Sequence, residues 1–321
     1  MDENCNMSDG FPTRGIMSVN NTAIERLGDY VDFKVNKGMQ QLQTYLKDTK
    51  TLLQMIDQKN KSGPISDNIN WLSADMKSMY QNMPEKESED GCREYLDRRQ
   101  LIPGDPTTDS VIQCLHICQD NNVFVFLDQL YRQVSGHATG QKQAPSVACQ
   151  GAGRIERRAL NKPREIVNND YSGRILARDK DDPIFWSVRD MLDWFKSDID
   201  DVLSPFRGDR EQVKWFISVF NSICPGVVEF TLTFSTTSII FLNTRLILNR
   251  DLKQIDVDYY VKPSNKQLFL HYRSCHHEHV FRATVHGQAL IGKTVCSYPE
   301  WCDRYLQKLC VKFLATPAMY M

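Results

Sequence analysis

Trp194-Phe-Lys-Ser-Asp198-Ile-Asp200-Asp201-Val-Leu203 is the stretch on which the reading of this chain turns. Three carboxylates fall within four positions, with aromatic residues before them and aliphatic residues after. The pattern predicts an acidic turn between two apolar strands. Neighbouring carboxylates repel, and burial raises the cost. Two divalent cations relieve it, and two-metal phosphoryl transfer needs such carboxylates to stabilise the attacking and leaving oxygens. Acidic turns and helix N-termini also carry Asp-Asp pairs, and Asp190 and Asp193 lie close by. Taken alone, the stretch leaves both readings open.

A second carboxylate is placed comparably. Ile69-Asn-Trp-Leu-Ser-Ala-Asp75 reads as a buried strand ending in an acid. Between the two acidic positions lies Gly136-His-Ala-Thr-Gly140-Gln-Lys-Gln-Ala144-Pro145-Ser146, a glycine-bearing turn leading into a helix. The rest of the chain supplies the scaffold. Thr22-Ala-Ile-Glu25 has the spacing of a capping box. Apolar residues then recur at helical intervals to Lys59, and Lys61-Ser-Gly-Pro64 ends the run. Helices are expected from Pro84 and over Thr108–Asp120, and a hairpin over Val123–Val134. Residues 161–182 read as a polar insertion, and Val227–Leu248 as strands alternating around Ser235-Thr-Thr-Ser238. The order suits an α+β domain better than a parallel βαβ sheet.

Composition limits the options. The chain has 321 residues, and 41% hydrophobic content is enough for a real core. A charged fraction of 25% argues against disorder. The net charge of −1 counts mildly against a nucleic-acid enzyme, although a local basic channel can coexist with acidic faces. Ten scattered cysteines and no leader-peptide pattern predict reduced thiols in the cytosol or nucleus. No apolar run reaches the roughly 18 to 20 residues of a membrane span.

The acidic stretches belong to a longer series. Ser73-Ala-Asp75-Met-Lys-Ser-Met-Tyr80-Gln-Asn-Met-Pro84 resembles L-D-V-K-S-L-Y-T-N-I-P, the first motif of Penelope-like retroelement reverse transcriptases. Gly136–Ala148 resembles their G-T-A-M-G-T-K-M-A-P-S-Y-A, and Asp198–Leu203 their R-Y-I-D-D-I-F, with Gly208 seven residues after the second aspartate. Arg14-Gly-Ile-Met-Ser18, Asp29-Tyr-Val-Asp32 and Tyr45-Leu-Lys-Asp-Thr49 resemble R-P-I-V-S, E-F-V-D and Y-I-K-D-T. Ile240–Thr244, Tyr260–Pro263 and Leu270–His276 resemble I-S-F-L-D-T, Y-V-K-P and L-H-x-x-S-C-H. The similarity runs colinearly over about residues 12–300.

The resemblance implies a right-hand polymerase fold with an antiparallel palm sheet. Its expected divisions are a flexible segment 1–20, fingers and palm helices 21–68, a palm 69–250 and a thumb or connection remnant 251–321. It implies an RNA-directed DNA polymerase acting on an RNA template, a DNA primer and deoxynucleoside triphosphates. Asp75, Asp200 and Asp201 become the catalytic carboxylates holding two Mg²⁺ ions, with Mn²⁺ as the substitute. Tyr80, Gly140, Ala144, Pro145, Ser146 and Arg14 become the nucleotide-binding set.

The chain also departs from the pattern. Asp198 stands where the family has Tyr, Asn243 where it has Asp and Gly15 where it has Pro. His137, Thr139, Gln141 and Gln143 alter the second motif, and most of the fingers region is expected to be missing. These losses make a decayed or domesticated nucleic-acid-binding remnant the alternative. A third reading takes Cys275, His276 and His279 as a zinc site, but the close paired spacings of structural zinc are lacking. Arg154, Arg157, Arg158, Lys162 and Arg164 read either as a track for a nucleic-acid backbone or as a solvated helix face.

Overall fold

The computed structural model describes residues 16–168 and 194–315, apart from residues 18, 101, 127, 266–268 and 271–273. Most of the expected polar insertion, residues 169–182, lies outside the described residues, as does Arg14. The described chain forms two compact units. One takes in residues 16–45, 75–168 and 215–231, and the other residues 46–74, 194–214 and 232–315.

The first unit is built on helices α1 (Ala23–Met39), α3 (Met79–Asn82), α4 (Glu85–Arg98), α5 (Thr108–Asp120) and α6 (Ala144–Asn168). The short helix α2 (Thr49–Ser62) belongs to the second unit. In α1, Val31 and Val35 lie one turn apart and are fully buried. They meet Cys92 and Leu96 of α4, Val111, Ile112 and Leu115 of α5 and Val147 of α6. Burying each aliphatic side chain contributes roughly 1.5–3 kcal/mol. Helices α4 and α6 approach backbone to backbone. A Cβ built at Gly91 would sit 2.6 Å from the Gln150 carbonyl oxygen, so only glycine permits the crossing.

Polar ends fix the helices. The expected capping box forms one residue off. Glu25 Oε2 accepts the Asn21 N–H at 2.7 Å, while the Thr22 hydroxyl turns back to the Val19 carbonyl. The end of the expected loose leading segment packs firmly: Met17 and Val19 are buried, and the Met17 N–H donates to the Thr139 carbonyl. In α2, Asp48 caps through the Thr51 N–H at 2.7 Å and its hydroxyl at 2.8 Å. Those bonds hold the Asp48 carboxyl below its ordinary range. In the basic cluster on α6 three arginines are ion-paired to α4, with Arg157 and Arg158 still exposed to solvent, and the side chains of Lys162 and Arg164 lie outside the described ones. Arg154 pairs with Glu87, Asp90 and Glu94 of α4, Arg157 with Glu94 and Arg158 with Glu87. Residues 161–168, expected to belong to a polar loop, continue α6 as helix.

The second unit carries the sheets. Strands β1 (Ile69–Met76), β4 (Lys196–Asp198), β5 (Asp201–Arg207) and β6 (Phe230–Ser235) form one sheet in the order β4-β5-β1-β6. Strands β2 (Val123–Phe126) and β3 (Gln129–Arg132) form the expected hairpin, in the first unit. A three-stranded meander joins β7 (Ser238–Phe241), β8 (Thr244–Asn249) and β9 (Gln254–Tyr259). The strands on either side of Ser235–Ser238 therefore do not pair with each other, contrary to the expected alternation. The corner is held open by polar contacts. The Ser235 hydroxyl accepts the Thr237 and Ser238 N–H groups, and Arg250 takes the Thr236 carbonyl at 3.0 Å. Leu46, Leu52, Ile56, Trp71, Leu203 and Leu246 fill the core of this unit. Helix α7 (Arg210–Asn221) follows β5, and α8 (Glu278–Val295) and α9 (Pro299–Ala315) close the chain. Buried Asp256 anchors their junction, accepting from Asn249 Nδ2 and Gln254 Nε2 at 2.7 Å and Tyr298 Oη at 2.9 Å.

Removing Arg154 should leave Glu87, Asp90 and Glu94 repelling one another across α4. Arg154→Ala is expected to lower stability by about 1–3 kcal/mol, read as a drop in denaturant midpoint with unchanged m-value.

Candidate active site

The acidic stretch forms a two-residue hairpin. Asp198 faces Asp201 in the β4–β5 register, and Ile199 and Asp200 make the turn. Two-residue loops between twisted strands need positive φ at the first turn position, which usually selects glycine or asparagine. Here Ile199 adopts φ of +59°, an outlying conformation for a β-branched residue. Its flanks enforce it. Phe195, Val202 and Leu203 are almost wholly buried, and the Leu46 N–H ties β4 through the Ser197 carbonyl at 2.9 Å. The turn thus holds Asp200 and Asp201 at one end of the sheet, each partly exposed.

Asp75 arrives on the neighbouring strand. Asn70, near the start of β1, donates to the carbonyl of Gly208, just past the end of β5, at 2.9 Å. The two adjacent strands therefore run antiparallel, but Asp75 belongs to the first unit and Asp200 and Asp201 to the second. Asp75 is exposed, while Trp71, Leu72, Ala74 and Met76 around it are buried. The Thr231 hydroxyl donates to the Asp75 carbonyl at 3.3 Å.

Acidic charge is crowded around Asp198. The Asp198 carboxyl is pushed up from its ordinary value by burial first, then by Asp200 and Asp48. Among the described residues, no three His, Cys, Asp or Glu side chains converge into a ready metal cage, at this end or around Cys275, His276 and His279. A carboxylate-only donor set still suits Mg²⁺, which binds through one or two carboxylates and leaves other positions to water and phosphates.

The second motif locks onto the chain that follows Asp75. The His137 N–H donates to the Tyr80 carbonyl at 2.6 Å. Gly136, at φ of +71°, sits so close that an added Cβ would meet the Tyr80 and Gln81 carbonyls. Tyr80 itself is half-buried in α3. Gly140 takes φ of +109° and lies against the Met17 carbonyl. Ala144, Pro145 and Ser146 form the first turn of α6 rather than a free turn. Ala144 is buried, Pro145 is exposed, and the Ser146 hydroxyl donates to Asp32 and accepts from Asn36 Nδ2. The residues that depart from the family pattern explain themselves as packing. Gln141 Nε2 reaches the Cys118 carbonyl at 3.1 Å and the Asn122 amide, and Gln143 Nε2 reaches Gln141 Oε1. His137 Nε2 meets the Ser88 hydroxyl at 2.8 Å.

Sequence reasoning missed one group of polar residues. Arg207 and Arg210 flank Gly208 at the other end of β5, where they line a cavity with Asn70 and Phe234. The signal was present as two arginines around a glycine, directly after the aspartate-bearing strand.

No family pattern and no curated protein sequence matches the chain. Solved structures do resemble it. Telomerase from Candida albicans, in complex with a fragment of telomeric RNA, superimposes with a TM-score of 0.54 at 13% identity, covering 93% of this chain and 48% of that one. Apo telomerase from Candida tropicalis gives 0.49 at 12% identity, covering 91% and 51%. The BmCPV RNA-dependent RNA polymerase gives 0.46 at 11% identity, covering 94% and 25%. The chain spans about half the length of the telomerases it resembles. It has a right-hand polymerase fold of the α+β class. No described helix is long and apolar enough to cross a membrane.

The buried second motif makes a pH prediction. Burial pulls His137 down to about 4 from an ordinary 6.5. The unfolded chain takes up this proton below about 6.5, and the folded chain only below about 4. Stability is therefore full above pH 6.5 and falls by up to about 3 kcal/mol as the pH drops through that window. In His137→Gln, chemical denaturation between pH 7 and 4 should lose this component of the acid slope.

Proposed function

We propose that this chain is the reverse-transcriptase domain of a Penelope-like element, performing template-directed nucleotidyl transfer. The observation that supports it best is the strained Ile199–Asp200 turn, which presents two adjacent carboxylates at the tip of the β4–β5 hairpin. In this reading Asp75, Asp200 and Asp201 hold two Mg²⁺ ions, with Mn²⁺ able to replace them. Bound there, the ions supply charge neutralisation for the phosphates and lower the cost of the carboxylate crowding. The chain's own residues do the rest. The hairpin holds the carboxylates before substrate arrives, so little reorganisation is needed at the moment of reaction. Tyr80 stands five residues after Asp75 and is held through its own carbonyl by His137. There it would meet the sugar of an incoming deoxynucleoside triphosphate and exclude a 2′-hydroxyl. Gly140, Lys142 and Pro145 are the exposed members of the second motif, and Gly140 and Pro145 would face the nucleotide. Ala144 and Ser146 would support them from within the fold, and Arg14 would meet the triphosphate. The primer 3′-hydroxyl would attack the α-phosphate, pyrophosphate leaving, with RNA as template.

One observation favours a second reading, a nucleic-acid-binding remnant without activity. Asp198 replaces the family's Tyr, and its raised carboxyl adds acid where a primer's phosphates would pass.

Primer extension on an RNA template with Mg²⁺ decides between them. Incorporation by the wild type should fall by about three orders of magnitude in Asp200→Asn, equivalent to about 4 kcal/mol of lost transition-state stabilisation. Absence of extension by a wild-type chain that binds primer–template would establish the remnant. Recovery of extension in Asp198→Tyr would then trace the loss to that position.

A further inference from the structure

Strands β2 and β3 form a two-stranded sheet with an aliphatic face open to solvent. Directly opposed residues of an antiparallel pair share a face, and so do alternate residues of one strand. The register sets Val123 against Arg132 and Val125 against Leu130, so these four side chains lie together. Val123 is 48% exposed, Val125 66% and Leu130 75%, and Val134, two residues beyond Arg132, is 81% exposed. On the other face Phe124 stacks on Tyr131, with ring centroids 5.6 Å apart.

A hairpin with such a face needs a cover. Two strands alone are marginal in water, and further strands or a helix normally back them. Strands that remain solvated carry charge or proline to block association. Strand β2 reads Val-Phe-Val-Phe and has neither. Contiguous exposed aliphatic side chains mark an interaction surface.

The charges on the hairpin identify the partner. Asp128 stands at the tip, with φ of +59°, and Arg132 lies towards the base. Both are exposed, and among the described residues neither belongs to an ion pair. Leu130 lies midway, two residues from each. Consider two such faces packed together, with a two-fold axis between them crossing the strands at Val125 and Leu130. That axis carries position 128 of one copy onto position 132 of the other. Each acid then meets a base, on both sides of an aliphatic centre. A two-fold interface has to be self-complementary in this manner. Tip-to-tip packing would set acid against acid and base against base, so charge selects the antiparallel arrangement. A nucleic-acid strand would find one cation and one acid here, with no net attraction.

We propose that this face is the interface of a homodimer, in which two copies pack hairpin on hairpin about the Val125–Leu130 pair. Asp128 of each copy sits beside Arg132 of the other. The proposal stands apart from the polymerase reading, because the hairpin carries none of Asp75, Asp200 and Asp201.

The test is sedimentation equilibrium of the full chain at low salt. The face is small, so the expected dimer is weak, dissociating on the order of tens of micromolar. Leu130→Lys should weaken it at least about tenfold and keep the wild-type melting curve, since the side chain is exposed. Val125→Lys, on the facing strand, makes the same test should Leu130→Lys melt early. Arg132→Glu leaves acid at both ends of the face, and Asp128→Lys leaves base at both, so each alone should stay monomeric. Mixed in equal amounts they should associate, because each end again joins opposite charges. Both changes in one chain should likewise restore the homodimer. A wild-type chain that stays monomeric up to about 300 µM overturns the proposal. So does a dimer that survives Leu130→Lys and Val125→Lys, or charge variants with wild-type melting curves that dimerise alone or fail to associate when mixed.

Discussion

Three carboxylates within four residues form the constraint to which the rest of the sheet answers. Asp198, Asp200 and Asp201 would spread apart in a free chain, since each resists the charge of the next. Here they are held by hydrocarbon. Phe195, Val202 and Leu203 are buried on the flanks of the turn, and the hairpin register leaves two residues to reverse the chain. Ile199 absorbs the consequence in its backbone, at a cost of order 1–3 kcal/mol. The same device recurs in the β7–β8 hairpin, where Phe241 faces Thr244 and Leu242 takes φ of +53°. That second turn carries no acidic pair, so tight reversal at an apolar residue is a habit of this fold. The Asp-Asp pair is what sets the first turn apart.

The helical half of the fold was largely legible in the sequence. Val31 with Val35, Leu52 with Ile56 and Val111 with Leu115 repeat at helical spacing, and each pair is buried where that spacing puts it. The strand ending at Asp75 was legible because Trp71, Leu72, Ala74 and Met76 leave little room for solvent on either face. What was hidden depends on partners far away in the chain. Local pattern gives Phe230–Ser235 and Ser238–Phe241 as strands without saying that they enter different sheets. That choice rests on Arg250, 14 residues from Thr236 and 181 from Ile69, whose guanidinium gathers both segments. The α6 arginines were ambiguous for the same reason. Their partners on α4 lie 60 to 71 residues away, and charge along one helix face does not reveal the face opposite.

The candidate site was legible by type and position, and less so by role. Gly140 was expected to let a ligand approach. The missing side chains of Gly136 and Gly140 also admit protein backbone, from Tyr80 and Gln81 in one case and Met17 in the other. The second motif therefore acts first as a clamp on the chain after Asp75. Its unusual residues follow from that. A buried amide needs a partner, and Gln141, Gln143 and Asn122 supply one another. Changing one of the three without the others would strand a donor or acceptor in the core. The three amides thus form one coupled packing unit.

This bears on what the acid at position 198 means. Several interior polar groups have partners: His137 has Ser88, Ser146 has Asp32 and Asn36, and Asp256 has three donors. Against that background Asp198 stands out, because its nearest electrostatic neighbours, Asp200 and Asp48, are both acids and both raise its carboxyl. A packing explanation does not account for it, since an aromatic would fill the same half-buried position without the charge cost. What the site gains is a third acid next to the pair, and what it loses is a surface on which a strand could rest.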